Sequence, residues 1–144
     1  VMLRNFHRPW LWVAGWLALL ALVAAGSLMP ASDLPQVQLP GVDKIQHAAA
    51  HAVLASYAMM LFATRRAQGW AVVGLLAYGV GIEAAQATLT ADRMAEWTDV
   101  LANAAGTAVG VALTRRRPAL LMQRIDRWLA GAAGRGERPP SCPE

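Results

Sequence analysis

From Ala77 to Gly110 the chain is apolar, yet it carries Glu83, Gln86, Arg93, Asp99, Asn103 and Gly106. It reads GIEAAQ, breaks at Asp92-Arg93, and resumes as EWTDVLANAAGTAVG. A charge at the centre of a bilayer costs roughly 2.5–3.5 kcal/mol on insertion scales, so carboxylates bordering two apolar helices call for a reason. A second polar stretch, Asp43-Lys44-Ile45-Gln46-His47, opens another apolar helix. A fold that holds this sequence has to bring the two stretches together.

Composition enters at this point. Hydrophobic residues make up 56% of the 144 residues and charged ones only 15%, whereas soluble domains carry about a quarter charged residues. The balance indicates a membrane protein, and the length suits one domain. The net charge is +4, but the arginines stand in short clusters between apolar runs, which fits membrane orientation and offers no platform for nucleic acid. The lone Cys142 in a Pro-rich tail supports neither a disulfide framework nor a metal site.

Four apolar helices are predicted. Trp10 to Met29 is almost uncharged for about 20 residues, enough to span the hydrocarbon core. Trp10, Trp12 and Trp16 at its start suit the headgroup level. A cleaved signal peptide is the competing reading, given Ala24, Ala25 and Gly26; the long apolar run and the bundle that follows favour a retained helix. Pro30, Pro35 and Pro40 make Pro30 to Val42 an extended loop. Asp43 to Thr64 is the second helix, with Asp43 at the positive end of its dipole and His47 four residues from both Asp43 and His51. Arg65-Arg66 is read as a basic loop closed by Gly69, and Trp70 to about Leu89 as the third helix. Gly74, Gly79 and Gly81 would let its neighbours approach, and Glu83 and Gln86 share a face near its end. After a loop at Thr90 to Ala95, the fourth helix runs from Glu96 to Thr114. Asp99, Asn103, Gly106 and Gly110 follow at i, i+4, i+7 and i+11, one stripe with a GxxxG spacing. Arg115-Arg116-Arg117-Pro118 stops it.

In the tail, Leu121, Ile125, Trp128, Leu129 and Ala132 share a face opposite Gln123, Arg124, Asp126 and Arg127, the pattern of a helix lying in the membrane interface. Gly134 to Glu144 is expected to be disordered. The expected fold is therefore all-α. Residues 1–117 form a four-helix transmembrane bundle, and residues 118–144 a cytoplasmic amphipathic helix with a disordered tail.

An inside N-terminus puts Arg4, Arg8, Arg65, Arg66 and Arg115 to Arg117 on the cytoplasmic side, against only Lys44 and Arg93 outside. The positive-inside rule thus favours both termini in the cytoplasm of a multi-pass inner-membrane protein. Asp43, Lys44, His47, Glu83, Gln86, Arg93, Asp99 and Asn103 then fall in one layer near the outer surface. Glu83 lies about 8–9 Å below the outer end of its helix.

This layer is the expected ligand-binding set, and each member has a plainer reading. Glu83 is either a functional carboxylate or a clamp paired with Lys44, Arg93 or a protonated Asp99. His47 is a base, a metal ligand or a phosphate contact, or else a packing histidine bonded to Asp43 or to another helix. Arg93 with Lys44 suits an anionic headgroup or pyrophosphate, or Arg93 merely snorkels. Asp99 and Asn103 position a ligand, or serve as a helix-end charge and an interhelical hydrogen bond. The His47-x-x-x-His51 spacing lacks the HExxH glutamate, since position 48 is Ala. No spacing demands a metal, although Asp43, His47, Glu83 and Asp99 together could hold a divalent ion. Serine-triad, phosphate-loop and cysteine-metal motifs are missing.

With these residues in place the chain resembles the VanZ-like family of small bacterial membrane proteins. The resemblance rests on Asp43-Lys44-x-x-His47 with Leu54, Gly81-x-Glu83-x-x-Gln86, Arg93, and Asp99-x-x-x-Asn103-x-x-Gly106-x-x-x-Gly110. These fall in the family's order and cover a core of residues 43–113. The family usually shows an aromatic where this chain has His51. The resemblance implies a cell-envelope protein, its founding members being associated with low-level resistance to the glycopeptide teicoplanin. Three functions follow for test. The first is binding of membrane lipid headgroups or a cell-wall precursor (or a glycopeptide-related ligand) through Lys44, Arg93, His47 and Glu83. The second is an intramembrane hydrolase or transferase acting on a lipid-linked phosphate, with His47 or Glu83 as base. The third is a scaffold for a membrane protein partner.

Overall fold

The computed structural model describes residues 2–29, 41–89, 96–115 and 120–136. Five helices make up this part of the chain: α1 Pro9–Leu28, α2 Val42–Leu61, α3 Arg65–Leu89, α4 Trp97–Thr114 and α5 Leu121–Gly136. The fold is all-helical; the one β contact among the described residues is an isolated bridge between Leu3 and Phe62. Two helices, α1 and α3, are long and apolar enough to cross a membrane.

Helix α2 is the hub and touches every other helix, α4 most extensively. Small residues explain the closeness of that pair. A Cβ on Gly106 would overlap the carbonyl oxygen of Ala48, and one on Gly110 would overlap that of Ala52. The α2 side is lined by alanines, so two backbones meet with little between them, the arrangement that lets membrane helices associate without a hydrophobic driving force. Ser56 Oγ adds a hydrogen bond of 3.3 Å to the Gly110 carbonyl.

Helix α1 buries no residue and leaves Trp10, Leu11, Leu17 and Leu22 exposed. It is held by polar side chains that reach its backbone carbonyls. Tyr57 Oη donates to Trp12 O (2.9 Å), Tyr78 Oη to Leu20 O, and Gln86 Nε2 to Ser27 O (2.8 Å). In return Trp16 Nε1 donates to Leu54 O at 3.2 Å. Trp16, Leu19, Leu20 and Val23 pack on the cluster of Leu54, Ala55 and Leu75. Pro9 opens α1, where its missing N–H has no helical partner to lose.

One boundary differs from expectation. Arg65-Arg66 is not a loop: α3 begins at Arg65, and the chain turns within Phe62 to Thr64. Phe62 leaves the helix in an extended conformation and pairs with the N-terminal segment, Arg4 N–H bonding to Leu61 O and Ala63 N–H to Met2 O. Thr64 Oγ1 then accepts from Ala67 N–H at 3.2 Å, capping the new helix. Gln68 Nε2 donates to the carbonyls of Met59 and Phe62, closing the end of α2.

At this same end α5 folds back on the start of the chain. It buries Met122 beside Phe6 and Leu61, and it also buries Asp126. Asp126 accepts from His7 N–H (2.7 Å), contacts His7 Nδ1 (3.1 Å), and accepts from Trp12 Nε1 (2.8 Å). The predicted apolar face of α5 therefore points away from the bundle: Leu121, Ile125, Trp128 and Leu129 are all exposed. The helix runs through to Gly136, past Gly134 where disorder is expected from sequence to begin; residues 137–144 lie outside the described residues.

Candidate functional site

The site grows out of the α2–α4 contact. Glycines at 106 and 110 bring α4 so close to α2 that facing polar residues must pair. His47 Nδ1 stands 3.3 Å from Asn103 Oδ1. One turn on, His51 Nδ1 stands 3.3 Å from Thr107 Oγ1, which itself donates to Asn103 O at 2.9 Å. The third helix joins through Gly79, where a Cβ would fall 3.0 Å from the His51 ring and 3.1 Å from Asn103 Nδ2. One turn beyond Gly79 on α3, Glu83 enters the cluster, its Oε1 3.9 Å from His47 Nδ1.

Towards the open end of the cluster, α2 is preceded by its N-cap Gly41, whose φ of 83° strains any residue with a Cβ. Asp43 and Lys44 follow in its first turn. His47 Nε2 lies 3.9 Å from Asp43 Oδ1. Lys44 Nζ donates to Glu96 Oε2 at 2.9 Å and lies 3.4 Å from Asp99 Oδ1. Its hydrogen bond, with a second from Thr98, holds the Glu96 carboxyl below the ordinary carboxylate range. Asp43 and Asp99 each sit in the first turn of a helix, where the dipole favours a negative charge.

The structure thus brings Asp43, Lys44, His47, Glu83, Asp99 and Asn103 together. Gln86 Nε2 donates to the Ser27 carbonyl of α1, and Arg93 lies outside the described residues. His51, one turn deeper than His47, is buried against Thr107 and stacks, tilted, 6.1 Å from Tyr78. Two members escaped sequence reasoning. Thr107 continues the Asp99–Asn103 stripe by one more turn, a signal present in the spacing. Glu96 reads only as a helix start until the structure sets Lys44 beside it.

Burial makes this cluster unusual. Glu83 is 4% exposed and neither of its carboxylate oxygens has a side-chain hydrogen-bond partner. Asn103 Nδ2 is buried and unbonded, and Asp99 Oδ1 is buried with the 3.4 Å ion pair to Lys44 as its one contact of this kind among the described residues. Leaving a buried polar group unpaired costs about 1–3 kcal/mol, more for a charged one. The helix dipoles account for Asp43 and Asp99, whereas Glu83 lies well inside α3 and instead faces the Glu96 backbone at the start of α4. Chemically the arrangement interleaves a cation and an imidazole with four carboxylates and an amide, all of them ion-pairing or hydrogen-bonding groups.

No curated protein and no solved structure matches this chain. A family model described as VanZ/LLP1 matches residues 4–121. The match reaches past the polar motifs of α2 to α4, taking in α1 and the first residue of α5, and the chain belongs to the VanZ/LLP1 family.

Proposed function

We propose that this is a four-span protein of the bacterial inner membrane, with both termini in the cytoplasm, that binds a lipid headgroup or cell-wall precursor at its outward-facing polar cluster. The observation that carries the reading is the carboxylate of Glu83, buried beside His47 where α2, α3 and α4 meet and without a side-chain hydrogen bond. Lys44 and His47, with Arg93 on the adjoining stretch, would take phosphate, and Glu83, Asp99 and Asn103 would take hydroxyl or amine groups. The exposed apolar residues of α1 suit lipid contact, and the outward apolar face of α5 suits the inner interface. An effect on glycopeptide susceptibility would follow if the bound molecule is the precursor such drugs recognise.

Native mass spectrometry of the gently solubilised protein tests this. A defined lipid or precursor retained by the wild type, and lost from folded Glu83→Gln and Arg93→Ala variants, is the expected result. A folded wild type that retains only bulk lipid, indistinguishable from both variants, would sink the proposal. The runner-up is a hydrolase or transferase on a lipid-linked phosphate, favoured by the same Glu83–His47 pairing; it requires turnover of that lipid in the same preparation.

A further inference from the structure

We propose that the mouth of the polar cluster is a divalent metal site, with Asp43, His47 Nε2 and Asp99 as ligands for zinc or manganese. One candidate ligand atom from each of these residues lies within 4.8 Å of the others. Two carboxylates and one imidazole form a mixed O/N set of the kind that zinc and manganese accept. Asp43 is exposed, so its side chain is free to close by about an ångström towards the ~2.0–2.2 Å ligand distances of a bound zinc ion.

An acidic pair at two helix starts would not suffice by itself; the support comes from behind the histidine. Its two ring nitrogens face different ways: Nε2 is turned to Asp43 (3.9 Å), while Nδ1 is turned to Asn103 Oδ1 (3.3 Å) and Glu83 Oε1 (3.9 Å). A metal-bound histidine needs that arrangement, the far nitrogen donating its proton to a carboxylate or carbonyl oxygen that fixes the tautomer and raises the ligand's basicity. Glu83, deeply buried and without a side-chain hydrogen bond, is thereby given a purpose: its charge faces the imidazole and the cation beyond it. The described charges agree, with Asp43, Glu83, Glu96 and Asp99 set against Lys44. Lys44 already lies 3.4 Å from Asp99 Oδ1, so a positive charge is accommodated at this position, and an incoming ion would displace it towards Glu96.

Three protein ligands leave coordination positions open. That one of these receives a phosphate oxygen of the headgroup rests on the binding function proposed above; the metal site does not.

The full-length, untagged protein, stripped with EDTA and desalted in detergent without added lipid, is titrated with Mn2+ and followed by loss of the free-ion EPR signal. Zn2+ is then used as competitor. One Mn2+ per chain is expected, displaced by Zn2+, with affinity reduced at least tenfold in Asp43→Asn and 10- to 100-fold in Glu83→Gln, the usual range for a residue behind a ligand. Asp43 is exposed and outside the packed interface, so its variant keeps the fold and remains informative if Asp99→Asn does not. Folded wild type binding well under one equivalent, or Asp43→Asn binding as tightly as wild type, overturns the proposal. Because lipid is left out, metal binding without headgroup binding, or the reverse, shows which of the two proposals has failed.

Discussion

Gly106 of α4 rests on the backbone of Ala48 of α2 with no space for a Cβ between them. This contact sets the distance between the two helices, and with Gly110 on Ala52 it sets their rotation. His47 then meets Asn103 and His51 meets Thr107 without choice.

A methyl group at either glycine should therefore spread the helices. Gly106→Ala and Gly110→Ala are each expected to cost about 1–3 kcal/mol or more, as overpacking does, because the obstructing atoms are backbone and cannot swing aside. Gly81→Ala, where nothing lies within 4 Å of the added carbon, should be neutral or gain up to about 1 kcal/mol from helix propensity. Thermal unfolding of the three variants in one detergent checks the contrast; equal losses at 81 and 106 would refute it.

Glu83 separates a binding carboxylate from a structural clamp. A clamp loses stability when its charge is removed. An unpaired buried carboxylate kept for a ligand should gain, because the unsatisfied group carries a penalty of about 1–3 kcal/mol. Glu83→Gln and Glu83→Met are expected to melt at or above the wild-type temperature while losing ligand and metal. A fall of several degrees in both would favour the clamp.

Asp126 joins α5 to the N-terminus. Burial pushes its carboxyl up, but hydrogen bonds from Trp12 and His7 together outweigh that and hold it below the ordinary 3.8. A group whose pKa is depressed on folding stabilises fully above its unfolded value, and this contribution is lost as pH falls through the folded value. The clasp should accordingly hold unchanged from pH 8 to pH 5 as far as Asp126 is concerned, and open only below about 3.8. Hydrogen-exchange protection of α5 measured across that range tests this. Asp126→Ala should abolish the protection at neutral pH, at a cost of about 1.5–3 kcal/mol for a hydrogen-bonded charge.

Cys142 is the chain's lone cysteine and reports the side of the C-terminus. With both termini inside, a membrane-impermeant maleimide should leave it unlabelled in intact cells and label it in inverted vesicles. Labelling in intact cells would overturn the proposed orientation.

What the sequence by itself determined is local and periodic. Apolar runs of helical length announced the helices, two of which are long and apolar enough to cross a membrane. The spacing of Asp99, Asn103, Gly106 and Gly110 announced which face of α4 would be buried, and all four are. Such features are legible because helical period ties residue number to direction. The tertiary structure decided what those faces meet. Only folding shows that Gln86 Nε2 reaches α1, that Lys44 takes Glu96, and that the chain turns at Phe62, which pairs with Leu3, so that Arg65 already stands in α3. Each involves partners far apart in the chain, or a turn whose shape depends on such a partner. The role of Asp126 was equally hidden: on a helical wheel it belongs to the polar face, and its burial follows from the N-terminal residues that come to lie over it. Periodicity specifies which way a side chain points, and packing alone specifies what lies there.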